Sequence, residues 1–276
     1  MSLVLFTCMV GLLIAPINVD FTSACISLLA VAIGSGAAGT LNMWYESDLD
    51  ALMSRTCLRP IPAGKVKKNQ ALYFGIILSA LSVSILYFSA NLISAVLLAC
   101  TIGFYFFVYT IWLKRKTSQN IVIGGAAGAL PPVIGWTIAT GNISIEPLVL
   151  FLIIFLWTPS HFWALSLYKS GDYKKAKIPM LPITSGTKTT KLNIFIYALI
   201  MSPAVVSPYI LNFASLFYLL VSSIMTFYYI YLCFRLYNSK IAKVSNKIAR
   251  KIFIYSIFYL FFIFLLLLTD NILKVT

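Results

Sequence analysis

Residues 22–68 read TSACISLLAVAIGSGAAGTLNMWYESDLDALMSRTCLRPIPAGKVKK. The stretch opens with a long uncharged run, enough helix to cross a hydrocarbon core, which takes about 20 residues. It then turns abruptly ionic, with Glu46, Asp48 and Asp50 followed by Arg55, Arg59, Lys65, Lys67 and Lys68. If the helix continues past residue 42, then Asn42, Glu46 and Asp50 stand at i, i+4 and i+8 on one face, and Asp48 points elsewhere. Pro60, Pro62 and Gly64 stop the helix and turn the chain back. An apolar helix ending in a column of carboxylates sets both questions, what solvent the chain lives in and what the acids hold.

Working outward, the whole chain has the same character. Of its 276 residues 61% are hydrophobic and only 10% charged, and the mean hydropathy is +0.94. A soluble domain carries roughly 25% charge, so this one is short of what a water-facing surface needs, and its solvent is lipid. The net charge of +14 does not mark a nucleic-acid face, because the basic residues sit in short gaps between apolar runs. Apolar spans are expected at 2–17, 22–45, 70–89, 92–112, 121–139, 146–168, 193–211, 213–235 and 252–273. All nine are expected to be helical, since lipid leaves backbone groups no partner outside the segment. The whole of 1–276 is expected to form one polytopic all-α integral membrane domain.

The gaps alternate. Of the 21 basic residues all but Lys274 fall in four of them: near 46–69, at Lys114, Arg115 and Lys116, between Lys169 and Lys191, and between Arg235 and Lys251. The intervening gaps carry none. Lys and Arg in short loops mark the cytoplasmic side, which predicts a cytoplasmic N-terminus, a periplasmic C-terminus and a bacterial inner-membrane location. The opening MSLVLFTCMVGLLIAP runs straight into hydrophobic sequence, unlike a cleaved signal. The five cysteines show no CxxC spacing and there is one histidine, so neither disulfides nor a zinc site is expected.

Of seven acidic residues, Asp20, Glu146 and Asp270 fall at expected outer span ends. The other four lie on the basic side: Glu46, Asp48 and Asp50 in the first cluster and Asp172 in a second, HFWALSLYKSGDYKKAKIPMLPITSG (161–186). The second echoes the first, with a span end, an acid, several bases, then Pro179, Pro182 and Gly186. Salt bridges to Arg55 and Arg59 are one account of the acidic column. The other is Mg²⁺, a hard ion held by a few carboxylates while it bridges substrate phosphates, with Arg55 and Arg59 gripping the remaining oxygens. Two such loops on one membrane face suit a substrate with a diphosphate head and a long apolar tail. A transporter also has many spans, but it places polar groups near the midplane between broken helices, not at one surface.

Three blocks, NMWYESDLDALMSRTCLRPIPAGKV (42–66), YTIWLKRKTSQNIVIGGAAGALPPVIGW (109–136) and WTPSHFWALSLYKSGDYKKAKIPMLP (157–182), together resemble the protoheme IX farnesyltransferases, a branch of the UbiA superfamily of prenyltransferases. The resemblance covers nearly the whole chain. It implies a nine-transmembrane-helix UbiA-type bundle with a central cavity. It also implies transfer of farnesyl from farnesyl diphosphate to a vinyl group of heme b, giving heme O for terminal oxidases, with Mg²⁺ as cofactor and heme as substrate. By position, Asn42, Glu46 and Asp50 match the first Asp-rich motif and Asp172 the second, as catalytic and metal-holding residues.

Position 46 holds Glu where the family usually has Asp, and Ala176 stands where quinone-type relatives have a second Asp, as in the heme-specific branch. Relatives begin with a segment containing Lys-Pro-Arg; here Met1 opens within the first span, so a truncated or misassigned start is expected. Tyr109, Lys114 and Arg115 end the fourth span, where they either meet the diphosphate or anchor the helix. Gly124, Gly125 and Gly128 read as close helix packing. His161, the sole histidine, is a candidate axial ligand to heme iron, or else satisfies a local hydrogen bond. Trp163 is a candidate to stack on the porphyrin. A quinone or other aromatic acceptor is the alternative substrate, disfavoured by the missing second acid and by the HFW sequence. A heme-modifying or oxidase-assembly protein is a possible partner.

Overall fold

The computed structural model describes residues 2–275, with side chains described through Leu273; the expectation about the start at Met1 lies outside them. Among the described residues the regular structure is helical: α1 (Ser2–Leu13), α2 (Phe21–Tyr45), α3 (Ser47–Leu52), α4 (Lys68–Ser89), α5 (Leu92–Gly103), a π-helical segment (Phe104–Leu113), α6 (Asn120–Ala129), α7 (Pro131–Thr140), α8 (Ile145–Tyr168), α9 (Ser170–Lys175), α10 (Leu181–Thr184), α11 (Gly186–Ile210), α12 (Leu216–Asn238) and α13 (Ala242–Val275). Eight helical stretches are long and apolar enough to cross a membrane, so the chain is a multi-pass membrane protein. The first expected span corresponds to α1, an apolar helix of 12 described residues, shorter than those eight.

The chain divides into two compact units, residues 1–143 with 171–179, and residues 144–170 with 180–276. In the first unit α2 packs along α4, and α1 packs on α7. Lipid tails are as apolar as leucine, so close packing must replace the hydrophobic drive. The α1–α7 crossing shows how: a Cβ on Gly11 would overlap the Pro132 carbonyl, and one on Gly135 would overlap that of Cys8. The backbones touch through reciprocal glycines. The expected span 121–139 is two helices, α6 and α7, because Pro131 and Pro132 supply no backbone N–H to the turn before them. Leu86, Ile134 and Cys8 lie in the buried interior, whereas Phe88, Leu92 and Phe107 are exposed on apolar helices, as lipid-facing side chains are.

In the second unit α8 packs against α11 and α13. Several of its buried polar groups find partners inside the protein, as a membrane interior demands, while Ser144 Oγ, Glu146 Oε2 and Trp163 Nε1 have none among the described residues. The Tyr229 ring stacks on Tyr259 at 5.2 Å. Their hydroxyls meet Ser160 and Thr226, each at 2.8 Å. Lys191 donates to the Ser239 carbonyl at 2.8 Å and to Ser245 Oγ at 2.7 Å. Two helices start earlier than the hydropathy suggests. α11 begins at Gly186 and α13 at Ala242, taking in lysines expected in loops. Lys, Arg and Ser extend a helix readily once it leaves the hydrocarbon, so hydropathy marks the membrane edge rather than the helix end.

Candidate active site

α2 does not stop cleanly at the membrane edge. Its cap, Glu46, donates its backbone N–H to the Asn42 carbonyl at 2.9 Å, and Asp50 N–H reaches the Glu46 carbonyl at 2.8 Å. The i, i+4, i+8 relation therefore survives the junction with α3, and Asn42, Glu46 and Asp50 are all buried. Asp48 lies on the exposed side, its side chain 58% accessible.

Each carboxylate has its own donor. Asn42 Nδ2 donates to Glu46 Oε2 at 2.8 Å, and Lys114 Nζ forms a short ion pair with the same oxygen. Arg59 Nη1 donates to both oxygens of Asp50, at 3.0 and 2.8 Å. Arg115 grips Asp48 with two nitrogens, at 3.2 and 3.0 Å. Slight burial lifts the Asp48 carboxyl, but the guanidinium more than offsets it and holds the group below the usual carboxylate range. From the second cluster, Asp172 Oδ2 accepts from Ser54 Oγ at 2.6 Å, so the Asp172 segment meets the loop after α3 within the first unit. Arg55 is exposed and forms no ion pair among the described residues.

The fourth span supplies the cations through an unusual backbone. From Phe104 to Leu113 it is π-helical, a form that is rare and concentrated at functional sites. Lys114 N–H bonds to the Tyr109 carbonyl at 3.0 Å, five residues back. Lys114 Nζ sits 5.7 Å from the Tyr109 ring centre, and the Arg115 guanidinium 5.1 Å from that of Tyr45. Gly124 admits the Tyr109 ring, since a Cβ there would overlap it, whereas one on Gly128 would meet nothing. Leu49, Leu52, Arg115, Lys175, Lys177 and Ile178 help line a cavity of about 340 Å³ beside α3.

The oxygen-rich donor set suits a hard divalent ion. Glu46 Oε1 is buried and has no hydrogen-bond partner, the kind of atom that a cation would satisfy. Among the described residues, however, no three carboxylate, imidazole or thiol groups come together as a metal cluster; the acids are spread along the site and countered by lysine and arginine. Sequence reasoning missed Ser54 and Thr110. Thr110 accepts from Asn42 Nδ2 at 3.1 Å; its only signal was to be the one aliphatic hydroxyl in FVYTIWL.

His161 and Trp163 lie on α8 in the second unit. The His161 ring is stacked between Trp157 at 4.3 Å and Phe253 at 4.6 Å, and its Nδ1 meets Ser256 Oγ at 2.6 Å. Ser256 Oγ gives its one proton to the Phe253 carbonyl at 2.7 Å, so it accepts from His161. Nδ1 therefore carries the proton and Nε2 keeps a lone pair. Trp163 is buried edge-on to Tyr197 at 5.3 Å, with its Nε1 unpartnered.

Residues 4–257 match the UbiA prenyltransferase family. The chain is 66% identical to the protoheme IX farnesyltransferase of Pelagibacter ubique over 99% of its own length and 90% of the relative's. It is 50% identical to protoheme IX farnesyltransferase 2 of Mesorhizobium japonicum, covering 99% and 87%. Among solved structures, a digeranylgeranylglyceryl phosphate synthase superimposes with a TM-score of 0.81 at 18% identity, covering 98% of this chain and 93% of that one. A UbiA homologue from Archaeoglobus fulgidus bound to GPP and Mg²⁺ gives 0.68 at 18% identity, covering 96% of each. With a buried acidic column at the end of α2, an all-helical membrane fold and near full-length similarity, the chain belongs to the UbiA prenyltransferase family.

Proposed function

We propose that this protein transfers the farnesyl group of farnesyl diphosphate to a vinyl group of protoheme IX, making heme O for a terminal oxidase. The observation that carries the site is the buried Asn42–Glu46–Asp50 column, met by Lys114 and Arg59. The curated relatives' names supply the acceptor, and the Mg²⁺-bound Archaeoglobus fulgidus homologue supports the metal.

In this reading Asn42, Glu46, Asp50 and Asp172 would hold Mg²⁺, which when bound would supply positive charge to the leaving diphosphate. Lys114, Arg115, Arg55 and Arg59 are the groups that bind the phosphate oxygens. Lys114 and Arg59, already poised on carboxylates, exchange one anionic partner for another and need no new desolvation. Tyr109 supports Lys114 from below. The C1–O bond of the farnesyl chain breaks with its electron pair leaving on the diphosphate. The terminal vinyl carbon of the heme forms the new bond to C1. Water adds to the adjacent carbon and gives up a proton to solvent, leaving a hydroxyethylfarnesyl group. His161 Nε2 is the nitrogen that can take the heme iron, its ring held by Ser256, Trp157 and Phe253, and Trp163 is a porphyrin contact. The basic loops face the cytoplasm of a bacterial inner membrane, with the N-terminus inside and the C-terminus periplasmic. An oxidase-assembly or heme-modifying protein is the expected recipient of product.

The deciding experiment incubates the purified protein in lipid nanodiscs with Mg²⁺, farnesyl diphosphate and heme b, and separates the extracted hemes by chromatography with mass detection. Heme O is expected. Its absence, with prenylation of a quinone-type aromatic acid in its place, would overturn the assignment.

A further inference from the structure

We propose that Thr110 is a positioning residue for the metal: through the π-helical turn it fixes which way the Asn42 amide faces. This rests on the reading of Asn42 and Glu46 as Mg²⁺ ligands. The argument is a count of protons. A carboxylate only accepts, so the Asn42 atom 2.8 Å from Glu46 Oε2 is its NH₂ group. The second hydrogen of that group goes to Thr110 Oγ1 at 3.1 Å. Thr110 is able to accept it because its own proton is committed to the Tyr105 carbonyl at 2.9 Å.

The chain Tyr105 carbonyl, Thr110 hydroxyl, Asn42 amide, Glu46 carboxylate and Lys114 ammonium is consistent in direction throughout. It uses both amide protons and one oxygen of Glu46. Outside it remain Asn42 Oδ1 and the buried, unpartnered Glu46 Oε1. These two hard oxygens, one helical turn apart, are the atoms a cation needs. Glu46 alone keeps the NH₂ group toward the carboxylate; without the Thr110 acceptor nothing holds the second amide proton, and the amide can pivot about the Glu46 contact and swing Oδ1 out of line.

The π-helical register makes this contact possible. The Thr110 hydroxyl bonds to a carbonyl five residues back, not the four of an α-helix, and Lys114 N–H does the same. Straightening Phe104–Leu113 into an α-helix would rotate Thr110 and Lys114 around the axis, away from Asn42 and Glu46. The rare backbone form thus serves both a positioning hydroxyl and a phosphate-binding ammonium.

The test uses the full-length protein in nanodiscs with Thr110→Val, which keeps the shape and loses the hydroxyl, and Thr110→Ser, which keeps the hydroxyl. Farnesyl diphosphate binding is titrated calorimetrically at a series of Mg²⁺ concentrations without heme. Val is expected to raise the Mg²⁺ concentration for half-maximal affinity about tenfold, the effect of one buried hydrogen bond, and Ser to restore it to within about twofold. Heme absorption should be unchanged in both. Should the Val protein not fold, Thr110→Ala is read in the same way. A Mg²⁺ dependence in Val equal to wild type, or Ser as impaired as Val, would overturn the role of Thr110 alone. Binding by wild type that ignores Mg²⁺ would overturn the metal reading and this inference with it.

Discussion

Replacing Lys114 by Met strands a carboxylate. The Glu46 side chain is 1% exposed and that of Lys114 17%, so the two partners are not equivalent. Met fills the lysine stem but leaves Glu46 buried with only the neutral Asn42 donor. Removing one member of a buried pair costs about 3–5 kcal/mol, because the remaining charge is uncompensated. Glu46→Gln is milder. The amide still accepts from Asn42 and Lys114, and the ammonium, reaching water at the membrane edge, loses about 1 kcal/mol. The double variant should recover about 2–3 kcal/mol relative to additivity, the upper range for contacting residues. Equilibrium unfolding in detergent micelles, followed by helical circular dichroism for all four proteins, measures this. If Glu46→Gln destabilises as much as Lys114→Met, or the coupling is under about 0.5 kcal/mol, the ion pair is not what holds the fourth span to α2.

Asp50→Asn and Asp172→Asn should each abolish farnesyl transfer while the proteins remain folded, and removal of Mg²⁺ by chelation should silence the wild type; near-normal product from both variants would remove these acids from the site. His161→Ala should shift the absorption spectrum of bound heme and weaken its binding while farnesyl diphosphate affinity stays within about twofold, a change too small to represent a lost contact; an unaltered spectrum returns the residue to a packing role. A periplasm-dependent reporter fused after Gly141 should be active and one fused after Lys188 silent, and the reverse pattern would invert the orientation.

The acidic column was legible because helical spacing and a carboxylate excess are local properties. Asn42, Glu46 and Asp50 needed only that α2 carry on through a one-residue junction, and it does. What the sequence concealed was decided by tertiary partners. Nothing in FYFFVYTIWL distinguishes a bond to the fifth residue back from one to the fourth; the choice is made by Asn42 and Glu46 across the bundle. Lys191 looked like loop charge, yet its ammonium is enclosed by Ser239 and Ser245, 48 and 54 residues on. His161 looked like a lone imidazole, and only the folded unit shows both faces covered and Nδ1 engaged. α1 reads as a span by hydropathy but ends at Leu13, and its place is secured by a glycine on each side of the crossing, Gly11 against Pro132 and Gly135 against Cys8.

The contact between Ser54 and Asp172 joins residues 118 positions apart, and that interval sets an order of events at the ribosome. Asp50 meets Arg59 nine residues later, and Glu46 and Asp48 meet Lys114 and Arg115 after 68 and 67. Asp172 arrives last, after α8. At about 5–20 residues per second this leaves the first acidic loop waiting roughly 6–24 s. Within that time Asp50 is gripped first, by Arg59, and Glu46 and Asp48 only about halfway through, when Lys114 and Arg115 are made. A nascent chain stalled before residue 172 would therefore carry a charge-balanced first loop in which Ser54 still waits for its partner on the third basic loop.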